Sequence, residues 1–371
     1  MIMKKRIGIL TSGGDCPGLN ATIRGVAKAC FENMGEENIE IVGISNGYYG
    51  LIHNMCRDMQ PSDFSGILTQ GGTILGTKRQ PFKMMTVIGE DNVDKVKAMK
   101  ETYKKQKLDC LLTLGGNGTH KTSKLLADEG LHVIGLPKTI DNDIYGTDFT
   151  FGFHTAVEVA TDAIDRVHST AESHSRVMIV EIMGNKAGWL TLYSGVAGGA
   201  DIILIPEIPF DPELVAESIQ MRKNNGHNFT IIAVAEGAMT KKEANLKEKE
   251  RLAKRKELGY RSVSDLLQAA LADIGMDVRS MAPSYMQRGG SPCPYDRFLC
   301  TKFGIYAASL FEQGIFGVTV ALQDNEMTHN LLSSMADKSK LVSPNDQTVQ
   351  LARKMGISFG DTNPTDYYKK N

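Results

Sequence analysis

Short apolar runs alternate along the chain with stretches in which apolar residues recur at helical spacing. Arg6–Ser12 reads as a buried strand and Leu19–Phe31 as a helix. Leu108–Leu114 is a second strand, followed by a helix over Thr119–Asp128, and His132–Leu136 a third strand. A long amphipathic helix is predicted from Phe153 to Ser173, then a strand over Arg176–Met183 and a small-residue helix over Ala187–Gly198. Asp201–Pro206 and Phe229–Ala235 are further strands, with a helix over Pro212–Asn224 between them. Alternation of this kind predicts an α/β fold of mainly parallel sheets with helices on both faces. Ligands in such folds sit beyond the carboxyl ends of the strands, where the polar motifs of this chain are expected to fall. The segment Thr240–Tyr260 departs from the pattern; rich in Lys and Glu, it predicts a solvated helix carrying i,i+4 pairs. The tail from Gly360 to Asn371 reads as frayed.

With 371 residues, the chain exceeds what one core usually organises, so two domains are expected. A net charge of −1 gives no reason to expect nucleic acid or an anionic membrane as partner, so an anionic substrate requires a local basic cluster. No apolar run approaches the roughly 18 residues that span a bilayer. The start, MIMKKRIGIL, runs directly into a strand and a glycine loop and reads as mature sequence. Cys16, Cys30, Cys56, Cys110, Cys293 and Cys300 form no C-x-x-C pair, and scattered thiols in a chain of this size point to a reducing, cytoplasmic compartment. Cys16 lies in a glycine loop without an adjacent base, so it is expected to pack rather than react. The histidines suggest no metal site; His168 and His174 share a helix end but lack a third ligand.

Four groups of residues can carry chemistry. Thr11–Asn20 (TSGGDCPGLN) places glycines between a strand and a helix, where backbone N–H groups can approach a phosphate; it is neither a Walker A loop nor G-x-G-x-x-G, and a tight structural turn remains open. Leu114–His120 (LGGNGTH) sits at another strand-to-helix junction, and two such loops together suggest a binding cleft. Pro137–Asp143 (PKTIDND) puts two acids and a threonine directly after a strand, where a carboxylate can accept a hydroxyl proton or help to hold Mg²⁺; an Asx-rich turn remains the alternative. Arg79, Arg176, Arg279 and Arg288 lie near strand ends, and guanidinium forks suit phosphate oxygens; Arg288 stands beside glycines in MQRGGSP.

Taken together these motifs resemble the 6-phosphofructokinase family. GILTSGGDCPGLNATIRG, GGTILGTKR, LPKTIDND, SRVMIVEIMG and MQRGGSPCPYDR occur in the family's order, over about Lys5 to Leu332. The resemblance implies two interleaved three-layer α/β domains. Residues 1–152 with 288–337 would bind the phosphoryl donor, residues 153–287 with 338–359 would bind fructose 6-phosphate, and 360–371 would be a tail. The implied reaction moves the ATP γ-phosphoryl group to the C1 hydroxyl of fructose 6-phosphate, giving fructose 1,6-bisphosphate in glycolysis, with Mg²⁺ as cofactor. Gly14, Arg79, Gly116, Gly118 and Thr119, with Asn117 and Lys138 beside them, would line the donor site. Thr139, Asp141 and Asp143 would occupy the reaction centre, with Asp141 taking the hydroxyl proton. Met183, Gly184 and Glu236 would meet the sugar. Arg279 and Arg288 would hold its 6-phosphate, with Arg176 reaching in from a neighbouring subunit of a homo-oligomer, expected to be a tetramer.

The departures from the family pattern bear on metal and donor. Asn117 stands where the family's GGDG loop carries a carboxylate associated with Mg²⁺, leaving Asn117 and Asp141 as metal candidates. Asn185 replaces an arginine, with Lys186 following it. Tyr285 takes the place of a sugar-phosphate histidine. Met55 and His168 replace effector-site arginines, which weakens any expectation of ADP or phosphoenolpyruvate regulation. For the donor, Gly118 goes with ATP in the family, because an aspartate there fills the α-phosphate space. Lys138 is usual in pyrophosphate enzymes, but steric exclusion is the harder constraint and favours ATP. The alternatives are a pyrophosphate-dependent enzyme, a non-catalytic sugar-phosphate sensor, and a Rossmann-type nicotinamide enzyme. Retention of TIDND opposes the sensor, and the missing glycine fingerprint opposes nicotinamide.

Overall fold

Eleven strands and twelve helices are present in the computed structural model, which describes residues 4–88, 93–335 and 337–363. The strands are β1 (Lys5–Thr11), β2 (Ile39–Ile44), β3 (Cys56–Met59), β4 (Cys110–Gly115), β5 (Val133–Pro137), β6 (Arg176–Ile182), β7 (Ile202–Leu204), β8 (Thr230–Ala235), β9 (Asp277–Met281), β10 (Val318–Gln323) and β11 (Glu326–Leu331). The helices are α1 (Leu19–Met34), α2 (Tyr48–Ile52), α3 (Lys95–Lys105), α4 (Asn117–Asp128), α5 (Phe153–His174), α6 (Trp189–Ala197), α7 (Pro212–Asn224), α8 (Glu248–Glu257), α9 (Val263–Ala270), α10 (Pro294–Glu312), α11 (Leu332–Met335) and α12 (Gln347–Lys354).

The chain divides into two units, Met1–Thr155 with Arg288–Lys340, and Ala156–Gln287 with Leu341–Asn371. The first unit holds a seven-stranded sheet in the order β11-β10-β5-β4-β1-β2-β3. Its five central strands run parallel, and β3 and β11 are antiparallel edges. Burial on both faces explains why β4 and β5 are continuous apolar runs rather than alternating ones. Helices α1 and α10 approach closely because glycines meet at their crossing. An added Cβ at Gly304 would stand 2.6 Å from the Thr22 carbonyl oxygen, and one at Gly25 3.1 Å from that of Thr301. The second unit holds an all-parallel sheet, β7-β8-β6-β9. Its core joins Val177 and Ile179 of β6, Ile232 and Val234 of β8, Val215 and Ile219 of α7 and Leu267 of α9. Helix α7 starts where Asp211 accepts from the Glu213 N–H and Pro212 fills the first turn.

The α/β architecture with mainly parallel sheets agrees with the sequence pattern, with several elements ending one to three residues from their expected bounds. Two expectations are corrected. The Lys/Glu-rich segment is helical only over Glu248–Glu257. Before it, Thr240 and Glu243 bond each other locally, a competing turn, and the Glu250 carboxylate accepts from the Lys247 N–H to start the helix. Nor is this helix wholly solvated: Arg255 is buried, donating to the Glu243 carboxylate at 2.6 and 2.9 Å and to the Ala238 carbonyl at 2.8 Å. The tail is tied down at its start, where Arg353 pairs with Asp361 at 2.8 Å and Asp211 donates to the Gly360 carbonyl at 2.7 Å. Its remainder, 364–371, lies outside the described residues.

Candidate active site

In the first unit, β1, β4 and β5 are neighbours, and their carboxyl ends carry three of the polar motifs. The backbone stitches these turns together: Ser12 donates to the Leu114 carbonyl at 2.9 Å and Lys138 to the Gly115 carbonyl at 3.1 Å. The buried Lys138 side chain then crosses to the glycine loop, its Nζ donating to the Gly14 carbonyl. Burial, reinforced by nearby Arg288, lowers the Lys138 ammonium below the usual lysine range, against the opposing pull of Cys16, Asp141 and Asp15. Arg288 lies over the same loop: an added Cβ at Gly14 would stand 3.0 Å from its guanidinium, which donates to the Asp15 carbonyl at 3.3 Å. Burial pushes the Cys16 thiol up to about 12, so it remains protonated, as its surroundings in the sequence suggested.

Helix α4 begins at the second loop. Gly116 is its N-cap, and an added Cβ at Gly118 meets no heavy atom within 4 Å. The buried Thr119 side chain packs on Gly115, whose added Cβ would stand 2.1 Å from Thr119 Oγ1. Arg79 is exposed on the irregular segment before α3.

The third turn is held in shape by Asn142, in the left-handed region at φ 51°, whose side chain accepts from the Thr150 N–H at 3.1 Å. Thr150 Oγ1 donates to the Thr139 carbonyl at 2.7 Å, and Thr139 Oγ1 accepts from the Asp141 N–H at 3.1 Å. These bonds hold the backbone around the partly buried Asp141. Asn117 Nδ2 donates to the Asp143 carboxylate at 2.8 Å, joining the second and third turns. Burial nevertheless raises the Asp143 carboxyl above the usual range, outweighing the Asn117 bond and the charges of Lys340 and Lys138. Lys340 reaches the Thr147 and Asp148 carbonyls at 2.8 and 2.6 Å, and burial lowers it to about 8.

His120, Asn142, Thr150 and Lys340 were missed by sequence reasoning. His120 adjoins the glycine loop and carried a weak signal; Lys340 carried none. Buried His120 sits between the Gly116 carbonyl, 3.0 Å from Nδ1, and Thr319 Oγ1, 2.8 Å from Nε2. A carbonyl only accepts, so Nδ1 carries the proton and Nε2 accepts from Thr319. Burial lowers His120 from 6.5 to about 4. The unfolded chain therefore binds more protons between these values, and folding stability falls as pH drops from 6.5 towards 4. The full loss is about 3 kcal/mol at 1.36 kcal/mol per unit. His120→Asn is expected to lessen the pH dependence of the urea midpoint across that interval; an unchanged slope contradicts it.

In the second unit, Met183 and Gly184 follow β6, and Glu236 follows the adjacent β8. The Glu236 carboxylate accepts from the Gly184 and Asn185 N–H groups at 3.2 and 2.8 Å, with those residues at φ 148° and 53°. Arg176 does not join them. It is the first residue of β6, so the expectation that every polar motif lies at a carboxyl end fails there. Arg176 and Arg279 instead converge on Asp277, with N–O distances of 2.8 and 2.9 Å, because β6 and β9 pair Arg176 with Asp277. Tyr285 is 79% exposed on the short turn Ser284–Arg288 that leads to Arg288.

Glycine loops at adjacent parallel strand ends, a buried lysine and a carboxylate turn define an α/β protein built to handle phosphate groups. Residues 6–311 match the phosphofructokinase family model. An ATP-dependent 6-phosphofructokinase of Spirochaeta thermophila is 53% identical over 370 residues, covering 96% of this chain and 98% of the relative. ATP-dependent 6-phosphofructokinase 3 of Bacteroides thetaiotaomicron is 45% identical, covering 96% and 100%. Among solved structures, Pichia pastoris phosphofructokinase in the T-state matches with TM-score 0.77 at 30% identity over 90% of this chain, which spans 35% of that longer chain. A pyrophosphate-dependent phosphofructokinase from Marinobacter aquaeolei matches with TM-score 0.75 at 20% identity over 99% of this chain and 91% of its own, a likeness of fold. The chain belongs to the phosphofructokinase family.

Proposed function

We propose that this chain is an ATP-dependent 6-phosphofructokinase that transfers the γ-phosphoryl group to the C1 hydroxyl of fructose 6-phosphate. The convergence of three strand-end turns on Lys138 carries the reading, because it brings glycine N–H groups, a buried cation and Asp141 to one place. The first unit takes the donor on Gly14, Arg79, Gly116, Gly118 and Thr119. The second takes the sugar on Met183, Gly184 and Glu236, with Arg279, Arg288 and Tyr285 serving its phosphate end. Asp141 accepts the hydroxyl proton, Lys138 neutralises charge on the moving phosphoryl group, and Thr139 and Asp143 order the turn. Phosphoryl transfer is dominated by such positioning and charge neutralisation. Open space at Gly118 favours ATP over pyrophosphate. The enzyme acts in the cytoplasm, and Arg176, at the opposite end of β6 from Met183, completes the site of a neighbouring subunit in a tetramer. The ³¹P spectrum of the product tests the acceptor: a C1 phosphate is expected, and phosphorylation at any other carbon rejects it.

Mg²⁺ suits an oxygen donor set of one or two carboxylates completed by substrate phosphates. Asp141 supplies such a carboxylate, whereas Asn117 turns its amide nitrogen to Asp143 and offers only its oxygen. When bound, the ion would neutralise charge on the donor phosphates. Asn117→Asp replaces a donor with a second carboxylate near Asp143, the contact now being 2.8 Å. Like charges about 4 Å apart repel by about 1 kcal/mol even in water. The variant is expected to be less stable without Mg²⁺, to gain more in Tm from added Mg²⁺ than the parent, and to reach half-maximal rate at lower Mg²⁺. An unchanged Mg²⁺ midpoint and an unchanged Tm response contradict this.

A further inference from the structure

The Lys/Glu-rich segment forms one wall of a cavity of about 1080 Å³ within the second unit, whose lining includes Glu236 and Asn185. That volume is just above the ~300–1,000 Å³ of small-molecule sites. The acids lining it are already satisfied. Glu181 accepts from the Ser264 N–H and hydroxyl at 2.9 and 2.6 Å, and Glu207 from the Gly188 and Val342 N–H groups, each at 2.9 Å. Glu236 is held by Gly184 and Asn185, and Glu248 by Lys186 at 2.6 Å.

The cations are not matched in the same way. Arg255 is taken by Glu243, but Arg251, Lys256 and Arg261 line the cavity and form no ion pair among the described residues. Arg251 Nε is buried without a hydrogen-bond partner, and its Nη1 meets only the Met239 thioether at 3.2 Å, a weak acceptor. Two ties hold this wall ready: Arg255–Glu243 within the segment, and Lys186–Glu248 to the turn after β6. Two guanidiniums and an ammonium outside any ion pair, Arg251 sharing only the longer-range field of Glu248, suit a phosphate dianion, and the remaining volume suits an organic body attached to it.

We propose that Arg251, Lys256 and Arg261 form a phosphate-binding subsite for a phosphorylated small molecule, seated beside Glu236. The adjacency to sugar rests on the role given above to Glu236; the recognition of phosphate does not. Because Arg279, Arg288 and Tyr285 are given the sugar's own phosphate, the phosphate here belongs to a separate metabolite, and one set of measurements tests that. The triple variant Arg251→Gln, Lys256→Gln, Arg261→Gln is titrated calorimetrically with inorganic phosphate and assayed for its KM for fructose 6-phosphate. Loss of at least tenfold in affinity for one phosphate site is expected. An unchanged KM is expected; a parallel rise in KM gives the phosphate to the substrate and overturns the separate ligand. Equal phosphate stoichiometry and affinity in parent and variant overturn the proposal. Should the triple variant fail to fold, the exposed single variant Lys256→Gln is expected to weaken phosphate binding about threefold, and no change there also overturns it. Glu236→Gln tests the sugar reading separately: an unchanged KM for fructose 6-phosphate rejects that role and leaves the phosphate result standing.

Discussion

Asp141→Asn is expected to lower kcat by about 10²–10⁴-fold while KM for fructose 6-phosphate stays within a few-fold, since loss of a general base costs on that order. The substitution targets the proton acceptor, while the hydrogen bonds that support the turn lie on other residues. Asn142 at φ 51°, Thr150 and the Thr139 hydroxyl hold the backbone of this segment, and all three remain. An amide also keeps the side chain's size, leaving the sugar's place intact. A further change is electrostatic: Asp141 draws the Lys138 ammonium upward in pKa, so its loss leaves that buried cation less favoured. This adds to the loss in rate rather than offsetting it. A variant retaining more than about a tenth of the parent kcat removes Asp141 from the role.

Gly118→Asp is expected to lower ATP-dependent activity at least tenfold. An added Cβ at this position meets nothing within 4 Å, and Gly118 lies in the first turn of α4, where a carboxylate is favoured by the helix dipole. The fold therefore accepts the aspartate, and any loss reports on the ligand. In the proposed donor site the α-phosphate of ATP would pass close to this position, and a carboxylate about 4 Å away would oppose it by about 1 kcal/mol at water's dielectric constant, more in a cleft. Lys138 remains able to contact a smaller polyphosphate, so weak pyrophosphate activity is a secondary expectation. Unchanged KM for ATP and unchanged kcat show that the nucleotide lies elsewhere.

The fold and the strand-end turns were legible because their signals are local. A strand, a glycine loop and a helix follow one another within 30 residues at Lys5–Met34, and within 19 at Cys110–Asp128. What supports those turns was not legible. His120 meets Thr319, 199 positions away, and Lys340 meets Thr147, 193 positions away. Only the order β10-β5-β4 and the return of the chain to the first unit create these contacts. The pairing of Arg176 and Arg279 with Asp277 depends on the register between β6 and β9, which composition cannot reveal. The Lys/Glu-rich segment misled for a related reason. Its charge pattern fits a solvated helix, but Arg255 is buried by Glu243 and Ala238, and the helix walls a cavity rather than facing solvent alone.

The central claim is tested most directly by the purified protein with fructose 6-phosphate and Mg²⁺, fructose 1,6-bisphosphate formation being followed by a coupled assay with ATP and with pyrophosphate in parallel. Turnover with ATP at a kcat/KM at least tenfold above that with pyrophosphate is predicted. Turnover with pyrophosphate and none with ATP would contradict it.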